Sequence, residues 1–230
     1  MEENQLSPED QKVQEMLDTR LTVATQEFAN ILAKHGATVE VLAAVMNRWI
    51  DSLPPLPEGA ACQQGCHYCC HMGQEASIPE ILILFNELKA ATTPEGLEFF
   101  KSRVTDMAAH GETEKQDWWR QSQTPCPFLD GGGCLIYGIR PFSCRAYHSA
   151  DAVICKQGFD DRAEVQVPCF PLFRKFTGLH ALAFIQGAAA HGLKSHGVAM
   201  VKALALMFRD ETAGDRWLAG EDVFADCKFV

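Results

Sequence analysis

Apolar residues recur three and four positions apart through the first fifty residues. Val13, Leu17, Leu21, Ala24, Phe28, Ile31 and Leu32 form one such stripe, the spacing of a helix with one buried face. Ser7-Pro8-Glu9-Asp10 supplies its start, with a capping serine, a proline in the first turn and acids at the positive dipole end. Gly36 supplies its stop. A second stripe, Val41, Leu42, Val45, Met46 and Trp49, predicts a helix over 38–52. The segment 54–59 (PPLPEG) then breaks the pattern. Ser77-Ile78-Pro79-Glu80 matches a capping box ahead of the apolar helix IPEILILFNELKAA. Thr93-Pro94-Glu95 opens another, through Leu97, Phe100, Val104 and Met107, which Gly111 is expected to interrupt before Trp118 and Trp119. That tryptophan pair reads most simply as core and lid.

Two short apolar runs around Asp130-Gly131-Gly132-Gly133 predict a small hairpin. Residues 138–171 lose all period and read as irregular. Helical spacing returns from Leu172 to about His191 and again from Gly197 to Arg209, with a short last helix around Trp217. The expected fold is therefore mostly α: helices around an irregular cysteine-rich middle, with one small β-hairpin. Its parts are N-terminal helices (1–58), a cysteine-cluster region (59–171) and C-terminal helices (172–230), expected to form one compact unit.

Composition narrows the function classes. Of 230 residues, 47% are hydrophobic, too many for a disordered chain. The net charge of −10 disfavours nucleic acid, whose phosphates would be repelled. The acidic N-terminus has no basic or apolar region of a secretory signal. Gln186, His191 and Lys202 break the best apolar runs below the length of a membrane span. The expectation is a cytoplasmic protein with no membrane and no nucleic-acid partner, acting on or with a protein or small molecule not identified by the sequence. The acidity is uneven: residues 134–209 hold nine basic and four acidic side chains, net +5.

The ten cysteines change the picture most. Cys62, Cys66, Cys69 and Cys70 lie within nine residues; Cys126, Cys134 and Cys144 follow, then Cys155 and Cys169. In a reducing cytosol such clusters hold metal or do redox chemistry in preference to forming disulfides. Thiolates two or three residues apart can turn onto one ion or cluster without long loop closure, and thiolate selects zinc, copper(I) or iron–sulfur over hard cations. Adjacent Cys69 and Cys70 point in different directions, so one of them serves elsewhere or is a spare thiol. Long-range ligands are expected from Cys126, Cys134 and Cys144, with Cys155 and Cys169 as further candidates. Cys227 stands apart and reads as a small buried hydrophobe.

Arg140 and Arg145 flank Cys144, where a cation lowers thiolate pKa and offsets cluster charge. They and Tyr137 are candidate contacts of a bound cofactor; surface or packing roles are the alternative. His67 and His71 lie inside the cysteine string and could replace a thiolate. No P-loop, dinucleotide fingerprint, HExxH or GxSxG elbow is present. The C-x-x-C at 66–69 lacks the βαβ context of a thioredoxin-like site.

The ordered set C-x3-C-x2-C-C, Cys126-Pro127-Phe128-Leu129, Cys134-Leu135-Ile136-Tyr137, Arg140-Pro141 and Cys144-Arg145-Ala146-Tyr147 resembles the zinc- or iron-chelating cysteine-cluster family (CxxCxxCC, the YkgJ-like proteins) over about residues 60–150. The first gap is three residues here where the family often has two. The resemblance implies metal binding. It also links the region to the cluster part of flagellin lysine N-methylases, which tilts the expectation from zinc toward a four-iron (4Fe–4S) cluster. Three readings stand: an iron–sulfur protein with an electron-transfer role or an enzymatic one (oxidoreductase or methylase-like), a zinc-stapled structural or interaction module, and a thiol–disulfide protein.

Overall fold

The structure is a computed structural model, and it describes residues 7–113 and 123–229, with the side chains of 111–113 left aside. Trp118 and Trp119 lie outside the described residues. Nine α-helices and two small antiparallel strand pairs are found among those described, a mostly α fold.

Helix α1 (Pro8–His35) begins as its sequence dictates: the Ser7 side chain accepts from the Asp10 amide, Pro8 occupies the first turn, and Gly36 closes the helix at φ 80°. Leu17, Ala24, Phe28 and Leu32 are buried, while Val13 at the N-terminal end of the stripe is exposed. Helix α2 (Val39–Asp51), capped by Thr38, buries Leu42, Val45, Met46 and Trp49. Helix α3 (Ile78–Ala91) carries the full capping box and is buried along most of its length. Helix α4 (Pro94–Thr113) runs through Gly111; an isolated glycine costs only about 1 kcal/mol in a helix interior and does not end it.

Strands β2 (Leu129–Asp130) and β3 (Gly133–Cys134) form the expected hairpin, its turn made by Gly131 and Gly132 at φ 52° and 80°. Residues 138–171 are more regular than their sequence suggests. They contain α5 (Phe142–Ala146) and α6 (Ala152–Asp160). Both are too short for a periodic stripe, and α6 is fixed by Asp151, whose carboxylate accepts from the Val153 and Ile154 amides at 2.8 and 3.3 Å.

Helix α7 (Pro171–Ala190) packs lengthwise on α1. Gly187 makes this possible: a Cβ there would lie 2.6 Å from the Phe28 ring and 3.0 Å from the Thr25 carbonyl oxygen. Phe184 meets Phe28 and Trp49 at centroid distances of 4.9 and 4.6 Å, and His180 stacks on Phe142 at 5.2 Å. Residues 197–209 are not one helix. Gly197–Ala199 form β4, paired antiparallel with β1 (Glu75–Ser77), and α8 (Met200–Arg209) starts only then. The pairing satisfies backbone groups between two helices, and three residues are too few to show a strand period. Helix α9 (Ala213–Leu218) is anchored by fully buried Trp217, whose indole donates to the Lys194 carbonyl at 2.6 Å. One hydrophobic cluster runs through the N-terminal helices, Phe128, Ile136 and Phe142 of the middle, and the C-terminal helices. Among the described residues no helix is long and apolar enough to cross a membrane.

Glu80 joins the helices to the cysteine region. Only 2% exposed, it accepts from the Ser77 amide and hydroxyl, each at 2.7 Å, and from the Phe142 amide at 2.7 Å. It thereby caps α3 and pins the first turn of α5, the helix of Cys144. Burial raises its pKa from the ordinary carboxyl value, against the pull of these donors and of Arg145. The folded chain therefore holds the Glu80 proton more tightly than the unfolded chain. The stabilisation from this group is full below the unfolded value and declines as pH rises through the folded one. Glu80→Ala should cost about 3 kcal/mol near pH 5, since buried donors lose their acceptor, and measurably less at pH 8. Urea unfolding of both proteins at the two pH values tests this; an equal or larger cost at pH 8 would contradict the sign.

Candidate metal centre

The cysteine string starts in extended loop and turns through a single 3₁₀ turn, Tyr68–His71, that carries Cys69 and Cys70. A short helical turn is what places neighbouring side chains on different sides. The Cys69 thiol points inward, where it feels the charges of Cys70 and Arg140. The Cys70 carbonyl accepts from the Cys126 amide at 2.6 Å, joining the string to the hairpin segment.

Nine cysteines form one connected neighbourhood. Cys66 lies within electrostatic range of Cys62, Cys69 and Cys155. Cys155 faces Cys62 and Cys69, and Cys169 faces Cys155 and Cys62. On the other side Cys126 is near Cys144 and Cys134, and Cys134 and Cys144 are both near Cys69. All nine are half-buried. Cys227 is placed elsewhere, buried in the hydrophobic core near the C-terminus. None of the ten cysteines is in a disulfide.

Burial lifts most of these thiols above their ordinary range. Burial pushes the Cys126 thiol up to about 12. Burial and then the charge of Cys69 push Cys144 up to about 12. For Cys69 the hydrogen bond with Cys70 comes first and burial second, and the thiol stands far above the ordinary range. Cys66, Cys134, Cys155 and Cys169 are raised in turn, each chiefly by burial.

Four arginines oppose this: Arg103 at Cys126, Arg145 at Cys134, Arg174 at Cys169 and, most widely, Arg140. Its charge lowers the pKa of Cys69, Cys134 and Cys144, its guanidinium lies 3.8 Å from the centroid of the Tyr137 ring, and its buried Nε has no hydrogen-bond partner. Arg145 is turned differently: it donates to the Arg140 carbonyl at 2.9 Å and to the Gly138 carbonyl, holding the loop that presents Arg140. Tyr137 is 58% exposed and touches Arg140, not the thiols. His67 and His71 stack with Phe159 of α6. The His71 ring contacts the His67 carbonyl at 3.1 Å, and the His67 Nδ1 is buried without a partner.

Several contributors have no signal in the cysteine pattern. The Ser149 amide donates to the Cys62 sulfur at 3.3 Å, while its hydroxyl donates to the Asp151 carbonyl at 2.8 Å and lowers the pKa of nearby Cys155. The Tyr147 hydroxyl bonds Cys169, and burial raises its own pKa to about 12. Arg174 stands over the Tyr147 ring at 5.4 Å and lowers the Cys169 pKa. Gln74 accepts from the Cys144 thiol at 3.5 Å. Tyr147 and Ser149 closely follow Cys144 in sequence, but nothing local says they turn toward Cys169 and Cys62.

The donors suit a soft metal: many thiols, a compensating cation and an unpartnered guanidinium nitrogen beside them. Yet no three His, Cys, Asp or Glu side chains among the described residues close on the coordination sphere of a single ion.

Residues 61–167 match the family model described as a putative zinc- or iron-chelating domain, CxxCxxCC, which supports metal binding by this segment. Comparison with the curated proteins finds no match, and comparison with the solved structures finds none either.

Chelation by protonated thiols must displace protons. Adding zinc to the reduced, metal-free protein should release roughly one proton per thiolate bound, and the apparent affinity should rise with pH by about tenfold per unit for each proton displaced. Calorimetry in buffers of differing ionisation enthalpy counts the protons. Binding with no release would show that the thiols are already ionised.

Proposed function

From a chelating cysteine-cluster domain as the premise, we propose that this protein carries an iron–sulfur cluster of the four-iron type and serves a redox role, in electron transfer or in an enzymatic reaction. The observation that carries this reading is the number of sulfurs gathered in one region: nine half-buried thiols from distant parts of the chain, more than the four that one zinc site takes. A cubane cluster bonds each of four thiolates to a different iron, whereas zinc draws four sulfurs to about 2.3 Å of one centre. Bound there, the cluster would supply one-electron chemistry.

The chain's own residues would tune it. Arg140 places positive charge beside Cys69, Cys134 and Cys144, which favours the reduced, more negative state. The Phe128 and Ile136 amides act on the Cys126 and Cys134 sulfurs, and the Ser149 amide on Cys62; amide hydrogen bonds to cluster sulfur raise the potential. Because thiolates must stay reduced to chelate, we assign the protein to a reducing compartment, the cytoplasm.

Anaerobic purification with iron, zinc and acid-labile sulfide analysis, together with electron paramagnetic resonance, tests the reading. The expected product is brown, holds iron and sulfide in equal amounts, and gives a signal on reduction. A colourless protein with stoichiometric zinc and no iron, even after anaerobic reconstitution, overturns it in favour of a zinc-stapled module.

A further inference from the structure

Away from the cysteines, a groove of about 210 Å³ runs between α1 and α7. On α1 it follows Arg20, Val23, Ala24 and Glu27, spaced three, four and seven residues apart along one helix face. Arg20 and Glu27 therefore stand at opposite ends, about 10 Å apart along the axis. Phe176, Leu179 and His180 form the α7 wall by the same spacing. Between the charged ends the lining is apolar, and Val23 is 61% exposed there.

The two ends differ in what they already hold. Glu27 is paired with Arg48 at 2.9 Å. Arg20 has no acid at its helical neighbour positions, where Met16, Leu17, Val23 and Ala24 stand. Among the described residues no carboxylate pairs with it and no hydrogen bond uses its donors. Its guanidinium lies over the Phe176 ring, 5.0 Å from the centroid. That contact takes the face of the guanidinium and holds it in place, while the N–H donors lie in its plane and remain available. His180 adds no charge. Its Nδ1 lies 3.2 Å from the Thr177 carbonyl oxygen, which can only accept, so this nitrogen keeps the proton. Burial disfavours the imidazolium, and the Arg20 charge adds to this.

We infer that this groove binds a small organic monocarboxylate, with its carboxylate on Arg20 and its apolar body against Val23, Ala24 and Leu179. The charge follows from the one available cation, whose planar fork matches a carboxylate, and from Glu27 being held by Arg48. The size follows from the volume. A cavity of about 150 Å³ takes benzene, and drug-sized ligands fill roughly 300 Å³ or more, so the body is one ring or a branched chain of similar bulk. His180 also stacks on Phe142 of α5, with centroids 5.2 Å apart. The bound acid thus lies one aromatic ring from the helix of Cys144.

The test titrates phenylacetate into the full-length reduced protein and follows the backbone amides by two-dimensional NMR. Phenylacetamide and phenethylamine serve as neutral and cationic analogues of the same shape. Phenylacetate should bind at about 1 mM or tighter, about tenfold more tightly than either analogue, and shift the amides of 20–27 and 176–180. Arg20→Gln should lose the preference for the acid and leave phenylacetamide binding unchanged; Arg20→Lys, which keeps the charge without the fork, should fall between. Arg20 is exposed on α1, so both variants should fold, which circular dichroism checks. No binding to the unaltered protein at about 10 mM overturns the proposal. Equal binding of the three probes overturns the charge assignment, and shifts confined to the residues around the cysteines overturn the place. None of these outcomes depends on which metal the thiols hold, so failure here is distinct from failure of the cluster reading.

Discussion

Nine thiols brought into one half-buried region could not all ionise there. Each negative sulfur would raise the cost of the next, and burial already lifts the individual groups, to about 12 at Cys126 and Cys144. The raised groups favour the neutral thiol, and the region becomes a strong polyanionic host when a cation replaces the protons. The rest of the molecule answers to this constraint. Arg140 supplies fixed positive charge, Arg145 holds the loop that carries it and adds its own charge near Cys134, and the Ser149 amide and the Tyr147 hydroxyl act on the sulfurs of Cys62 and Cys169.

The helices provide what the cysteine segments lack. A segment rich in loops and 3₁₀ turns has few internal hydrogen bonds to fix sulfur positions. Here α1, α2 and α7 form an aromatic core around Phe28, Trp49 and Phe184, and Phe142 of α5 inserts into that core against His180. Glu80 adds a polar fastening between the same two parts. Cys144 is thus placed by the hydrophobic core two residues away from it, which couples the thiol site to the helical body.

The long helices were legible because their period is strong and their caps are explicit. Ser7, Gly36, Thr38 and the Ser77–Glu80 box all do in the structure what their chemistry predicts. The hairpin was legible from its glycines. The short pieces were not: α5 and α6 span too few residues for a periodic signal, β1 and β4 are three residues each, and Gly111 was weighed as a stop although its cost in a helix is small. The cysteines were recognisable as a set, as was Arg140 as their cation. Their neighbours were not, because these depend on backbone pairings such as Ser149 with Cys169 that join residues with no local signature. Arg145 donates to backbone carbonyls while its charge lowers the Cys134 pKa, and Tyr137 lies against the Arg140 guanidinium.

The contacts of Ser149 also set an order of assembly. Cys62 and Ser149 are 87 residues apart in the chain, and Cys169 lies further still. The hairpin and α5 close over shorter spans. Closing the longer loops costs more conformational entropy, and contacts of large sequence separation form late. A chain emerging from the ribosome therefore leaves the Ser149 side open until the residues around Cys169 have been synthesised.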